Sequence, residues 1–159
     1  MKKKRLRGQS VRTPVECRMA DVGCRIYCRS FVPFLEKQSM DRKTLQSRTK
    51  KFHVDVIHLC EAFPKNAAGF ETAKQLIRSA GSVGANYRAS VRAKSPADFL
   101  YKIEIVLEEA DESHYWLEVV KDARLQTGAE LDTLIKEANE LTAIFAATDK
   151  TNKMKQKRM

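Results

Sequence analysis

One segment in the second half of the chain repeats its apolar or small side chains at alternating steps of four and three residues. The repeat runs through Phe99, Ile103, Val106, Ala110, Ser113, Leu117 and Val120. This alternation places the side chains on one face of an α-helix, and it is the spacing of the seam in left-handed helical bundles. Because such a face must be covered by other helices, the pattern predicts helices packed side by side.

Three further segments also carry apolar side chains at helical spacing, and helix breakers separate the four. The predicted helices are residues 42–63, 67–93, 96–125 and 129–147. The clearest boundary is "KSPADF", where Ser95 is a natural N-cap, Pro96 fits the first helical position and Asp98 suits the first turn. Short turns make successive helices antiparallel, so the sequence predicts an all-α, antiparallel up-down four-helix bundle.

The net charge of +10 is concentrated at the two ends of the chain. Residues 1–39 hold ten Lys and Arg against three acids, and residues 150–159 hold five against none. We therefore divide the chain into a basic, disordered extension (1–39), the bundle (40–148) and a disordered basic tail (149–159). Such tails bind phosphate polymers without sequence preference, or they are simply solvated ends.

The onset of helical periodicity just after Met40 suggests that Met40 is the native start; the alternative is that residues 1–39 form a genuine basic arm. The four cysteines, at positions 17, 24, 28 and 60, match no metal, haem or redox spacing, and Cys60 falls on an apolar stripe. No apolar run approaches the ~20 residues that span a bilayer, and the basic start is not followed by a signal-peptide core. These features predict a reduced, cytoplasmic protein without a membrane partner.

The stretch "SAGSVGANYRAS", residues 79–90, gives the second helix unusually small side chains. Gly81 and Gly84 each cost about 1 kcal/mol of helix propensity relative to alanine. That cost is tolerable if a neighbouring helix fills the space that the missing side chains leave. The glycines therefore predict a close approach of two helices.

Polar side chains follow on the faces where the second and third helices are expected to meet. We predict a polar layer made by Asn86, Arg88, Lys102 and Glu109, because a buried charge is tolerated when it is paired. The alternative is that Lys102 and Glu109 face solvent. Tyr87 either stacks on a nucleobase or packs in the core.

The stretch 82–88, the run from Ser95 to Lys102, and "EADESHYWL", residues 109–117, together resemble the four-helix-bundle family that is similar to proteins encoded in intervening sequences of bacterial 23S rRNA genes. The resemblance covers about residues 40–145 and implies a ring-like homo-oligomer, a pentamer, without an established activity. A nucleic-acid-binding accessory protein of diversity-generating retroelements resembles the same fold. Many relatives place an acid soon after Asn-Tyr-Arg, but this chain has Ala89 and Ser90.

Catalytic, metal and cofactor sites are not predicted. The bundle di-iron pattern needs Glu-x-x-His on two helices, whereas this chain offers a single Asp111-x-x-His114. The stretch "AGSVGA" lacks the strand and the Lys-Ser/Thr of a phosphate-binding loop, and no histidine has a suitable nucleophile beside it. We therefore expect no enzyme, no cofactor and no small-molecule substrate.

Two functions remain open on the sequence. The first is binding of nucleic acid, RNA or DNA and in particular structured RNA, by a basic cluster of Arg78, Arg88, Arg92 and Lys94 with help from the C-terminal tail. The second is a protein–protein scaffold, in which the small-residue face and Trp116 bury against neighbouring subunits. Phosphate binding should weaken steeply with salt, whereas apolar self-association should not.

Overall fold

The structure is a computed structural model that describes residues 41–158, so the predictions for residues 1–39 and for a start at Met40 lie outside the described residues. Four helices follow one another: α1 (Arg42–Glu61), α2 (Ala67–Ser90), α3 (Pro96–Asp122) and α4 (Ala129–Gln156). Each packs against its neighbours in sequence, and α4 also packs against α1. The predicted all-α four-helix bundle is confirmed.

The core forms where the apolar stripes of the four helices meet. Six of the seven seam positions on α3 are buried, and Phe99, at its start, is partly buried. Phe52, Leu76, Leu117 and Phe145, from four different helices, are all under 2% exposed. A helical period in the sequence therefore becomes a single shared core, as expected from burying one face of each helix.

Local capping signals place the helix starts. The Ser95 hydroxyl accepts a hydrogen bond from the backbone N–H of Asp98 (3.1 Å) at the start of α3, as the sequence predicts. The Asn66 side chain accepts one from the Gly69 N–H (2.8 Å) at the start of α2. The first three helices end two to three residues earlier than predicted, and Phe63, just beyond α1, is still buried in the core.

The predicted disorder of the basic tail from residue 149 is wrong as far as Gln156, because α4 continues to that residue. The stretch contains neither Gly nor Pro, and Lys, Met and Gln are good helix formers. Lys153 also pairs with Asp149 (3.0 Å) on its own helix and with Glu104 (2.8 Å) on α3. Cations near a helix C-terminus interact favourably with the helix dipole. The tail thus extends the bundle instead of leaving it.

Among the four helices described, none is both long and apolar enough to cross a membrane.

Candidate nucleic-acid interface

The first turns of α1 and α3 and the last turns of α2 and α4 meet at one end of the bundle. A single cavity there is lined by residues from α1, the α2–α3 turn, α3 and α4, among them Arg42, Lys94, Phe99 and Asn152. The cross-helix pair between Glu104 and Lys153 lies on the same side. The antiparallel topology therefore brings together chain segments that are up to about one hundred residues apart.

We call this region the basic end and define it as residues 41–51, 86–104 and 145–158. It holds fourteen Lys and Arg against four Asp and Glu, whereas the rest of residues 41–158 holds six against thirteen. The folded chain is therefore strongly polarised along the bundle axis, although residues 40–149 together carry 15 basic and 17 acidic side chains. A region with one sign of charge attracts a polymer of the opposite sign.

Three of the four predicted nucleic-acid-binding residues lie at the basic end. Arg88, Arg92 and Lys94 are exposed, and the ion pairs described for residues 41–158 include none of them. Arg78 does not join them, because it lies ten residues, or ~15 Å along the helix axis, from Arg88. Its guanidinium lies 3.3 Å from a carboxylate oxygen of Glu112 on α3. The predicted cluster is thus divided, with Arg78 partnered by an acid.

The predicted polar layer does not form within the described chain. Asn86 donates to the backbone oxygen of Ser82 on its own helix (3.0 Å), and Lys102 pairs with Asp98 one turn away (3.4 Å). Arg88 is exposed. Asn86 and Lys102 therefore find their partners on their own helices, and such local contacts require no particular alignment between two helices.

A smaller polar contact occupies the α2–α3 seam instead. The Ser113 hydroxyl oxygen lies 2.9 Å from that of Ser79 and 2.8 Å from the backbone oxygen of Glu109, and both serines are fully buried. Ser79 in turn donates to the backbone oxygen of Leu76 (3.2 Å). Ser113 is a position of the four-three repeat, and Ser79 begins the small-residue stretch 79–90. Serine is small and neutral, so it is buried at little cost once it is hydrogen-bonded.

Glu109 is partly buried beside this seam without a cation that binds it directly. Burial and the neighbouring Glu112 carboxylate raise its pKa, while Arg78 opposes them. Its Oε2 atom is buried and has no hydrogen-bond partner among the described residues. Glu109 is therefore the one predicted layer residue whose charge the fold leaves poorly compensated.

The two aromatic residues of the predicted interface have different surroundings. Tyr87 is 7% exposed, with its ring centroid 5.4 Å from that of Phe145, so it packs in the core of this bundle. Trp116 is partly buried; its indole N–H donates to Glu112 (3.1 Å), and its ring meets Tyr115 edge-on at 5.2 Å. Of the two, Trp116 alone retains exposed surface for a partner.

The small residues of α2 face α1. A Cβ atom on Gly84 would lie 3.6 Å from the Thr49 backbone oxygen, and one on Gly81 would lie 3.0 Å from the His53 ring. The predicted close approach of two helices is therefore present, and its partner is α1. Beside it runs a groove of about 490 Å³ that is bordered by Lys50 and Arg88.

Several cations of the basic end were assigned by sequence reasoning to the tails or to no site at all. The main ones are Arg42, Lys43, Lys50, Lys150, Lys155, Lys157 and Arg158. The sequence did contain a signal for this surface, because these cations cluster at the start of α1 and at the end of α4. Antiparallel connection places those two kinds of helix end together. The structure describes no group of three or more His, Cys, Asp or Glu side chains in residues 41–158 that could hold a metal ion.

Comparison with known proteins gives two findings. The profile of the family described as 23S rRNA-intervening sequence protein matches residues 43–147. A crystal structure of a protein of unknown function from the S23 ribosomal protein family, from Bacteroides thetaiotaomicron VPI-5482, is similar in fold, with a TM-score of 0.62 and 29% identity. The match covers 67% of this chain and 98% of that one. No curated protein matches the chain.

Proposed function

The chain belongs to the 23S rRNA-intervening sequence protein family, and we propose that it is a non-enzymatic, oligomeric protein that binds structured RNA through the basic end of its bundle. The observation that carries this proposal is the excess of fourteen basic over four acidic side chains at that end. These basic side chains come from segments that are distant in the sequence and that only the fold brings together. Neutralising phosphates with such side chains releases counterions, which is the main source of sequence-independent affinity.

The four segments differ in how freely their cations can reach a phosphate. Arg88, Arg92 and Lys94 are exposed around the end of α2 and the following turn. Four of the basic-end cations are already paired with acids, so they contribute less: Arg48, Lys51, Lys102 and Lys153. The extension of α4 gives the C-terminal cations a fixed helical spacing, which supports their acting with the α2 cations as one surface.

The experiment is a fluorescence-anisotropy titration of a labelled RNA hairpin, at about 50 mM and about 200 mM salt. The test variant is Arg88→Glu with Arg92→Glu. The matched control is Lys65→Glu with Lys74→Glu, which makes the same change in net charge with exposed cations outside the basic end. We expect the test variant to lose at least tenfold in affinity and the control to stay close to wild type.

Residues 1–39 are present in both variants, so their basic side chains cannot produce a difference between them. Equal affinity of the two variants would contradict the proposal, because it would make net charge alone responsible. A chain ending at Asp149 separates the rest of the basic end from the C-terminal cations. Salt-sensitive binding that survives this truncation, and that Arg88→Glu with Arg92→Glu still weakens, supports a surface on the bundle.

A second function, that of a protein–protein scaffold, is favoured by exposed aromatic side chains away from the core. Phe70 and Tyr101 are each 62% exposed and Tyr115 is 56% exposed. Aromatic residues are enriched in protein interfaces, and Tyr115 is continuous with Trp116. We propose that the surface around Tyr115 and Trp116 joins copies of the chain, as a pentamer according to the family resemblance. Native mass spectrometry at low and high salt tests it: an apolar interface should keep the oligomer intact at high salt, whereas a monomer at every concentration would contradict it.

A further inference from the structure

The cavity at the basic end combines apolar and cationic lining. Its volume is about 530 Å³, within the range of sites that hold small ligands. Its residues come from the start of α1, the α2–α3 turn, the start of α3 and the last turns of α4. Binding of RNA by surface charge alone does not require this cavity.

The apolar part of the cavity is a fixed surface. Val91 and Phe99 line it, and both pack against the hydrophobic core with part of each side chain still accessible. The Phe99 backbone N–H donates to the backbone oxygen of Ser95 (2.9 Å), and this hydrogen bond holds Phe99 in the first turn of α3. A half-buried aromatic ring on a capped helix can stack a planar ligand without first becoming ordered.

The cationic part comes from two separate elements. Arg42 begins α1 and Lys94 lies in the α2–α3 turn, and both are exposed. Two acids lie close to these cations in the sequence. Asp41, next to Arg42, offsets one of the two positive charges. Asp98 accepts the Lys94 backbone N–H (2.9 Å) and pairs with Lys102 (3.4 Å), so its charge is already compensated. The mouth of the cavity therefore favours an anion.

A planar apolar group joined to an anion is the chemistry of a nucleotide. We propose that this cavity holds one unpaired nucleotide of the bound RNA, with its base against Phe99 and its phosphate beside Arg42 and Lys94. The proposal rests on the RNA-binding function above and adds a preference to it: the protein favours RNA in which a helix is followed by an unpaired base. Stacking of a base on an aromatic side chain tolerates any sequence, so no base preference is implied.

The test compares three RNAs on the full chain: a blunt hairpin, the same hairpin with a four-uridine overhang, and the same hairpin with a four-residue abasic overhang. The two overhangs carry equal numbers of phosphates and differ only in the bases. We expect the uridine overhang to bind about fivefold or more tightly than the abasic one. Equal binding of the two would overturn the proposal and leave a site for phosphates alone.

Matched variants then assign the preference to the cavity. Ala93→Leu adds a side chain to a residue that lines the cavity, and Ala97→Leu adds the same side chain to an exposed residue that does not. We expect Ala93→Leu to remove the advantage of the uridine overhang while blunt-hairpin binding persists, and Ala97→Leu to change neither. A preference that survives Ala93→Leu would place the unpaired base elsewhere and contradict the proposal.

Phe99→Leu provides an independent variant if Ala93→Leu disturbs the turn. Leucine keeps an apolar side chain against the core but removes the aromatic plane, so it should lower the uridine advantage and leave hairpin binding unchanged. An undiminished uridine advantage in this variant would also contradict the proposal. Failure of the RNA-binding function itself is distinguishable, because then the wild-type chain binds none of the three RNAs.

Discussion

At the scale of single residues, Glu109 is where the fold departs most from the rule that buried charges are paired. One of its carboxylate oxygens is buried without a partner among residues 41–158, and burial raises its pKa. A carboxyl group with a raised pKa in the folded state holds its proton at a higher pH than it does in the unfolded chain. The folded state therefore gains stability as the pH falls from neutral through that pKa, and it loses this stability as the pH rises again.

Replacing Glu109 with Gln tests this directly. We expect Glu109→Gln to raise the melting temperature at about pH 7. Wild type gains stability as Glu109 takes up a proton on moving toward about pH 5, and we expect the variant to lack that gain. Glu108→Gln is the matched control, because Glu108 is exposed on the same helix turn. Calorimetry across this pH range measures both. Identical pH profiles for wild type and Glu109→Gln would contradict the expectation.

Gly84 shows how a single missing side chain sets the distance between two helices. Gly84→Ala would place a Cβ 3.6 Å from the Thr49 backbone oxygen, an ordinary contact, so we expect a gain of up to about 1 kcal/mol from helix propensity. Gly84→Leu must place further atoms against the α1 backbone, and we expect a loss of about 1–3 kcal/mol. Urea denaturation separates the two. Equal stability of the Leu and Ala variants would mean that this position faces open solvent.

At the scale of the helices, the end of α3 is built on a residue that is poorly suited to it. Arg124 has a φ of 53°, in the left-handed region. The backbone N–H of the following Leu125 donates to the Val120 oxygen (3.0 Å), closing a Schellman-type end. Glycine is the residue that adopts this conformation without a Cβ penalty. The termination of α3 is thus imposed by the turn to α4 and not by the local preference of Arg124.

Arg124→Gly should accordingly stabilise the protein by about 0.5–1 kcal/mol, measured as the free energy of unfolding in urea. Arg124→Ala is the control, since it also removes the guanidinium but keeps the Cβ atom. A gain in both variants would show that loss of the charge is responsible, and a gain in neither would show that the left-handed conformation costs little here.

At the scale of the whole molecule, one arginine joins the first helix to the last. The Arg48 guanidinium binds both carboxylate oxygens of Glu137 (2.6 and 2.8 Å) and one oxygen of Glu140 (2.5 Å). The hydrogen bond to Glu137 is the largest influence that raises the pKa of Arg48. Bidentate arginine–carboxylate pairs are among the stronger polar contacts in proteins. This pair holds α1 against α4 and so completes the arrangement of four helices.

Arg48→Met should lower the free energy of unfolding by about 1–3 kcal/mol, because it leaves two carboxylates facing each other without a cation. Lys51→Met is the control; its lysine is exposed and pairs only with Asp55 on the same helix, so a change within about 0.5 kcal/mol is expected. The midpoints of urea denaturation give both values. Comparable losses in the two variants would show that removing any α1 cation has the same effect.

The helical bundle is readable from the sequence because its signals are local. The four-three repeat of α3, the Ser95 cap and the breakers between helices each depend on neighbours within a few residues, and the structure bears them out. Local preference also accounts for the extension of α4 to Gln156, since that stretch contains good helix formers and no breaker. The high density of positive charge predicts disorder there, but Glu104 on the neighbouring α3 pairs with Lys153 and balances part of that charge.

Only the tertiary structure decided which side chains meet. The polar side chains of α2 and α3 indicate that these helices face each other, but not which of their turns lie side by side. The sequence therefore predicts charged partners where Ser79 and Ser113 pair instead. Likewise, the cations near residues 42, 92 and 155 are separate patches in the sequence, and only the packing of four antiparallel helices makes them one surface. Helical period and capping act within one or two turns, whereas the alignment of neighbouring helices depends on how the whole core packs.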